Sequence, residues 1–178
     1  HESSNTHLLT RQVSLQSVAS YQASDAVCAF LGAGNYASRV LIPAFKEGGA
    51  KLHTLASSGG ISGVHHGKKH GFAQTATDSD AVLKDIAINT VVIATQHNLH
   101  AQQTIDALEA GKHVFVEKPL ALSEEELSDV IESYEKNNVN ISVGFNRRFA
   151  PLAIQMKKAL GKDEDYKYFE KRSHNWIN

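Results

Sequence analysis

Four groups of residues in this chain of 178 have types and spacings that suggest chemistry. Gly32, Gly34 and Ala37, within GAGNYA, follow a short apolar stretch and open an amphipathic one. The first glycine permits a tight turn and the second leaves no side chain between the backbone and a pyrophosphate. The small third residue lets a helix pack closely on its strand. Main-chain N–H groups at that helix start, at Asn35 and Tyr36, then face phosphate oxygens. The pattern predicts dinucleotide binding. About 20 residues further on, where an NAD site usually has Asp or Glu for the ribose hydroxyls, stand Ser57 and Ser58. Serine tolerates a 2′-phosphate that a carboxylate repels, so the expected cofactor is NADP or NAD with a lean to NADP. Arg39, Lys68 and Lys69 are the candidate compensating charges, and each also reads as ordinary solvated surface.

The second group, Glu117, Lys118 and Pro119, follows the apolar run 113–116. Proline forces a turn there, and a cis Lys118–Pro119 bond would fix the direction of the lysine. Partial desolvation beside an oxidised nicotinamide disfavours the charged form of a lysine, so Lys118 could exchange a proton with a substrate hydroxyl. The third group, Thr95, His97 and His100, follows the run 91–94, at a strand end where ligands of open sheets sit. His100 reads equally as a site residue and as a structural histidine. In the fourth, GFNRRFAP at 144–151, Arg147 and Arg148 fit a ligand phosphate or carboxylate, or an ion pair at a domain junction. His65, His66 and His70 have no carboxylate nearby in sequence to complete a metal site and read as a solvated helix face. No metal is expected.

Positioning these residues takes an alternation of buried strands and surface helices. Apolar runs at 27–31, 51–57, 90–94, 113–116 and 141–145 predict parallel strands covered on both faces. Three- and four-residue apolar spacing at 37–46, 99–110 and 124–136 predicts helices. Gly111 suits a C-terminal cap, and Ser123 with Glu126 forms a capping box. Right-handed crossovers give an α/β, doubly wound Rossmann-type sheet with its ligands beyond the carboxyl ends of the strands. Residues 1–25, rich in Ser, Gln and Thr, read as a loosely structured tail or linker. Residues 26–150 are the dinucleotide-binding domain, and 151–178 are the start of a second α/β domain. There a helix to about residue 160, a turn at 161–165 and a strand at 166–172 are expected.

Composition bounds the partners. The chain is 42% hydrophobic and 21% charged, with 18 Lys and Arg against 19 Asp and Glu, so no excess positive charge drives nucleic-acid binding. No apolar run approaches the roughly 20 residues of a membrane span, and the N-terminus lacks a signal-peptide pattern. Cys28 is the sole cysteine, which excludes an intrachain disulfide and fits a reducing cytoplasm.

Taken together, GAGNYA at 32–37, ATQHNLHA at 94–101, ALEAGKHVFVEKPLALS at 107–123 and VGFNRRFAP at 143–151 resemble the Gfo/Idh/MocA family of NAD(P)-dependent oxidoreductases. The resemblance implies an N-terminal Rossmann domain followed by a larger α/β domain that binds substrate and mediates oligomers. It implies that Lys118 contacts the substrate hydroxyl and nicotinamide ribose, with Glu117 and Pro119 shaping that corner, and that His100 lies near the nicotinamide. Lys118 and His100 are therefore the catalytic candidates. Many members have a proline where this chain has Gln96 in Thr95–Gln96–His97.

The family's second motif, an Asp and a His near the substrate carbon, belongs to a later part of such proteins, and Asp163, Asp165 and His174 come too early for it. The expectation is a cofactor domain from a longer enzyme, an internal fragment. The wording of its first loop is similar to members fused behind a zinc-dependent alcohol dehydrogenase-like region. The parent is expected to move hydride between NAD(P) and a polyol, sugar or sugar derivative, and the chain alone to bind nucleotide with little or no turnover. An uncovered face predicts self-association as a homo-oligomer. The alternative from another class is a non-enzymatic NAD(P)-sensing or interaction module. A short-chain dehydrogenase is disfavoured because no tyrosine has a lysine four residues on.

Overall fold

The computed structural model describes residues 11–17 and 20–159, apart from the side chains of Ile61, Ser62 and Ala159. Four strands in which every residue, or every residue but the first, is buried form the centre: β2 (Val27–Leu31), β3 (Lys51–Ala56), β5 (Thr90–Ile93) and β6 (His113–Glu117). With β1 (Gln12–Ser14), β4 (Gln74–Ala76) and β7 (Ile141–Gly144) they make a seven-stranded sheet in the order β1-β4-β3-β2-β5-β6-β7. Pairing of β4, β3, β2, β5 and β6 is parallel, and β1 joins β4 antiparallel. This is the doubly wound arrangement the alternation predicts.

Strand alternation divides the core between the two faces. Cys28 and Phe30 of β2, Val92 of β5 and Phe115 of β6 pack with Leu41, Ile42 and Phe72 on one side. Ala29, Leu31, Val91, Ile93, Val114 and Val116 pack with Val82, Ala107 and Leu108 on the other. Phe30 meets Phe45 and Phe72 edge-on, with ring centroids 5.4 and 5.7 Å away. Each fully buried large side chain contributes roughly 1.5–3 kcal/mol, so two such layers hold the strand ends in fixed register.

The helices are α1 (Ile42–Glu47), α2 (Gly60–His70), α3 (Asp80–Lys84), α4 (His100–Glu109) and α5 (Glu124–Lys136). Before α1 the helix widens into a π turn at Ala37–Leu41, with the Ile42 N–H reaching Ala37 C=O. Pro43 explains it, since its ring lacks an N–H and crowds the carbonyl four residues back. Gly111 caps α4 at φ 71°, as its position predicts. Ser123 Oγ accepts the Glu126 N–H at 3.1 Å, but the Glu126 carboxylate takes the Leu122 N–H, one residue before the cap.

The N-terminal segment departs from expectation. Gln12–Ser14 pair with Ala76, Thr75 and Gln74 where a loose tail was predicted. All three side chains are exposed, so the strand is made by main-chain pairing at the open edge of β4 and leaves no apolar alternation to read. The chain divides after Val143 into two compact units. In the second, a 3₁₀ turn at Asn146–Phe149 precedes α6 (Pro151–Ala159), and the Arg148 guanidinium lies 4.9 Å from the Phe145 ring centre. The turn and strand expected beyond residue 160, with Asp163, Asp165 and His174, lie outside the described residues. Among the described residues, no helix is long and apolar enough to cross a membrane.

Candidate cofactor crevice

Where β2 leaves the sheet, Gly32 turns at φ 98° and its N–H donates to Ala56 C=O at 2.9 Å. A Cβ there would sit 2.5 Å from the Ala94 carbonyl oxygen, so both the backbone angle and the neighbouring strand demand glycine. Two residues on the situation reverses: no atom lies within 4 Å of a Cβ built on Gly34. The Ser38 N–H and hydroxyl both donate to Gly34 C=O, at 2.9 and 2.8 Å, closing the first helical turn. The positive end of that helix thus opens on the space beside Gly34. This space is a crevice of about 770 Å³ beyond the carboxyl ends of β2, β3, β4 and β5, within the range of small-molecule sites.

Gly32, Gly34, Ser57, Ser58 and Thr95, all expected from the sequence to contact a cofactor, line the crevice. Asn35 and Tyr36, on the turn after Gly34, are exposed and are not among its lining residues. Thr77, Asp78 and Ser79, after β4, and Gln96, Leu99 and Gln103 also line it and were not anticipated. The Thr95 hydroxyl donates to Gln103 Oε1 at 2.6 Å, tying the end of β5 to the first turns of α4.

The register Ile93↔Val116 makes β5 and β6 end side by side, with Thr95 following the one and Lys118 the other. Lys118 is exposed, so the described residues do not supply the desolvation expected of it. Its peptide bond to Pro119 is cis. Glu117 is 8% exposed, and its Oε1 has no partner among the described residues. Burial pushes its carboxyl up from the usual range, opposed by the Lys118 main-chain N–H and by the charges of Lys118 and His100.

His100 is 0% exposed. Its Nδ1 lies 2.7 Å from the Pro119 carbonyl oxygen and its Nε2 lies 3.2 Å from that of Thr95. Both ring nitrogens are therefore directed at main-chain acceptors, and neither is presented to the crevice. The buried imidazole of His100, expected from the sequence to be catalytic, joins the Thr95 and Pro119 loops in this structure. His97, exposed, packs its ring 5.5 Å from that of His100.

Residues 26–145 match the Gfo/Idh/MocA oxidoreductase family, whose matched part is described as an NAD-binding Rossmann fold. The chain belongs to this family. Oxidoreductase P35 of Formosa agariphila is 30% identical over 131 residues, which are 73% of this chain and 41% of that protein. The scyllo-inositol 2-dehydrogenase (NAD(+)) of Bacillus subtilis is 34% identical over 140 residues, 77% of this chain and 40% of the relative. A levoglucosan dehydrogenase solved in complex with NADH and levoglucosan superposes with a TM-score of 0.69 at 25% identity, covering 78% of this chain and 40% of that one. The chain therefore spans about two fifths of the length of these relatives.

The described residues of this Gfo/Idh/MocA domain fit a dinucleotide. Gly34 faces open space where a side chain would intrude on a pyrophosphate, and Gly32 lets the turn pass close to Ala94. The expected counter-charges fit less well. Lys68 and Lys69 lie at the far end of α2, eight or nine residues from its start at Gly60, about 12 Å along the axis and away from the crevice. Arg39 is exposed on the π turn and does not line the crevice. The three α2 histidines also sit outside it. His66 and His70 stack at 6.4 Å, and burial lowers the pKa of His70, reinforced by the charges of Lys69, His66 and Lys46.

Proposed function

We propose that this chain is the cofactor-binding part of an oxidoreductase that moves hydride between NAD(P) and a polyol, sugar or sugar derivative. The open space at Gly34, beside a turn that admits only glycine at Gly32, carries the reading. Family membership supports it, as do relatives named for inositol and levoglucosan. A bound nicotinamide supplies the hydride acceptor or donor. Lys118 contacts the substrate hydroxyl and exchanges its proton, Glu117 shapes the loop from beneath, and His100 holds the loop against Thr95. Ser57 and Ser58 leave room for a 2′-phosphate, which favours NADP. Asn35 and Tyr36 meet the phosphates through the main chain at the head of the helix. The buried Cys28 thiol, its pKa pushed up to about 12 by burial, is unreactive and compatible with a cytoplasmic setting.

Lys118 faces solvent, and the matched region makes up about two fifths of each relative, so we expect the chain alone to bind nucleotide and to turn over substrate slowly or not at all. The test mixes purified chain with NAD⁺ or NADP⁺ and a panel of polyols and aldoses, follows reduced nicotinamide by absorbance, and measures nucleotide binding by calorimetry. Binding with negligible turnover is the expected outcome. Sustained turnover contradicts the inactivity of this chain, and absence of nucleotide binding contradicts the reading as a whole.

A further inference from the structure

The family match begins at residue 26, yet the segment before it is fitted into the sheet. The Leu15 N–H donates to Ala73 C=O at 2.8 Å and Gln16 Nε2 donates to Gly71 C=O at 2.9 Å. On the other side, a Cβ on Gly67 of α2 would come 2.7 Å from Leu15 Cδ1 and 2.6 Å from Thr75 Cγ2. Helix, strand and N-terminal segment are thus mated at a glycine.

The register of this added strand decides where the residue just before it goes. Gln12 pairs with Ala76, which places Arg11 opposite Thr77, and the Thr77 N–H donates to Arg11 C=O at 2.9 Å. Thr77 lines the cofactor crevice together with Ser57 and Ser58. From the end of β3 to Arg11 is two strand spacings, about 10 Å. The Arg11 side chain is 78% exposed, and its guanidinium approaches Asp78 Oδ2, another crevice residue, at 3.4 Å. Arg11 also lines a smaller cavity of about 350 Å³ with Gly60 and Thr77, at the same edge of the sheet. None of the three cations expected from the sequence lines either space.

We propose that Arg11, carried by edge strand β1 from outside the matched family region, binds the 2′-phosphate of NADP(H) and so sets cofactor choice. The inference rests on the nucleotide reading of the crevice. A guanidinium can take two phosphate oxygens at once, while the Ser57 and Ser58 hydroxyls donate from the opposite side. The contact to Asp78 is long and exposed, so it holds Arg11 at the rim and yields to a phosphate. The Asp78 carboxylate opposes the same phosphate, which gives the two residues opposite signs.

Calorimetric titration with NADPH and with NADH tests this on the unaltered chain and on Arg11→Ala, Arg11→Lys, Asp78→Asn and Arg39→Ala, with a thermal melt of each. Arg11→Ala is expected to weaken NADPH by about ten- to a hundredfold and to leave NADH within about twofold. Arg11→Lys should fall between, Asp78→Asn should tighten NADPH, and Arg39→Ala should leave the preference unmoved. An unchanged NADPH/NADH ratio in Arg11→Ala overturns the role of Arg11, as does preference of the unaltered chain for NADH or loss of NADPH selectivity in Arg39→Ala. Binding of neither nucleotide by the unaltered chain overturns the cofactor reading and this inference with it.

Discussion

At the glycine-loop corner of the crevice, the backbone of Gly32 runs so close to Ala94 that a Cβ would sit 2.5 Å from its carbonyl oxygen. The Lys118 loop, which does not itself line the crevice, is by contrast joined to its neighbour by one imidazole, with His100 set between the carbonyls of Thr95 and Pro119. The first is fixed by main-chain contact and leaves an open space one turn on, at Gly34. The second is fixed by a side chain and ends in an exposed lysine. The glycine loop is thus built into the sheet itself, whereas the Lys118 loop is held in place by a side chain from the next helix.

Breaking the main-chain contact should have the largest effect. Gly32→Val adds a side chain at φ 98° against backbone, and the strain and overpacking together cost roughly 3–5 kcal/mol, read as a lowered urea midpoint with nucleotide binding lost. A fully folded variant that still binds would erase the contrast. His100→Leu comes next, because it removes a buried imidazole set between two main-chain carbonyls, one of which loses its N–H donor, and should cost roughly 1–3 kcal/mol in the same unfolding measurement. Loss of under half of the lower figure would show that the clamp is dispensable.

Glu117 sharpens the comparison through pH. Burial raises its carboxyl pKa in the folded chain, so the folded state holds the proton more strongly than the unfolded one. Stability conferred by the protonated form is therefore lost as pH rises from the unfolded carboxyl pKa through the raised folded one. Glu117→Gln cannot ionise, and its urea midpoint relative to the unaltered chain should improve as pH goes from acid to neutral. A difference constant with pH would contradict the sign. Lys118→Ala should have the smallest effect, within about 0.5 kcal/mol of unaltered stability, because the side chain is exposed.

How legible each feature is in the sequence depends on the forces that hold it. β2, β5 and β6 are runs of apolar residues buried on both faces, so composition alone reveals them, and the glycine loop and Lys118 come into view at the ends of those runs. β1 and β4 are three residues each, and β1 buries no side chain, so their signal lies in main-chain pairing. With β4 unseen, Thr77 and Asp78 were unseen too, and so was Arg11 across from them. The place of His100 after a strand is readable in the sequence, but the two carbonyls its ring meets are not. Its two acceptors belong to loops 5 and 19 residues away, brought together only by the register of β5 and β6.

Gly34→Val separates the fold from the site most directly. The glycine is not at positive φ and nothing lies within 4 Å of its Cβ position, so the variant should melt as the unaltered chain does while its calorimetric titration with NADPH and NADH falls silent. Undiminished nucleotide binding by a folded Gly34→Val would contradict the account, because the space beside that glycine would then not be where the dinucleotide lies.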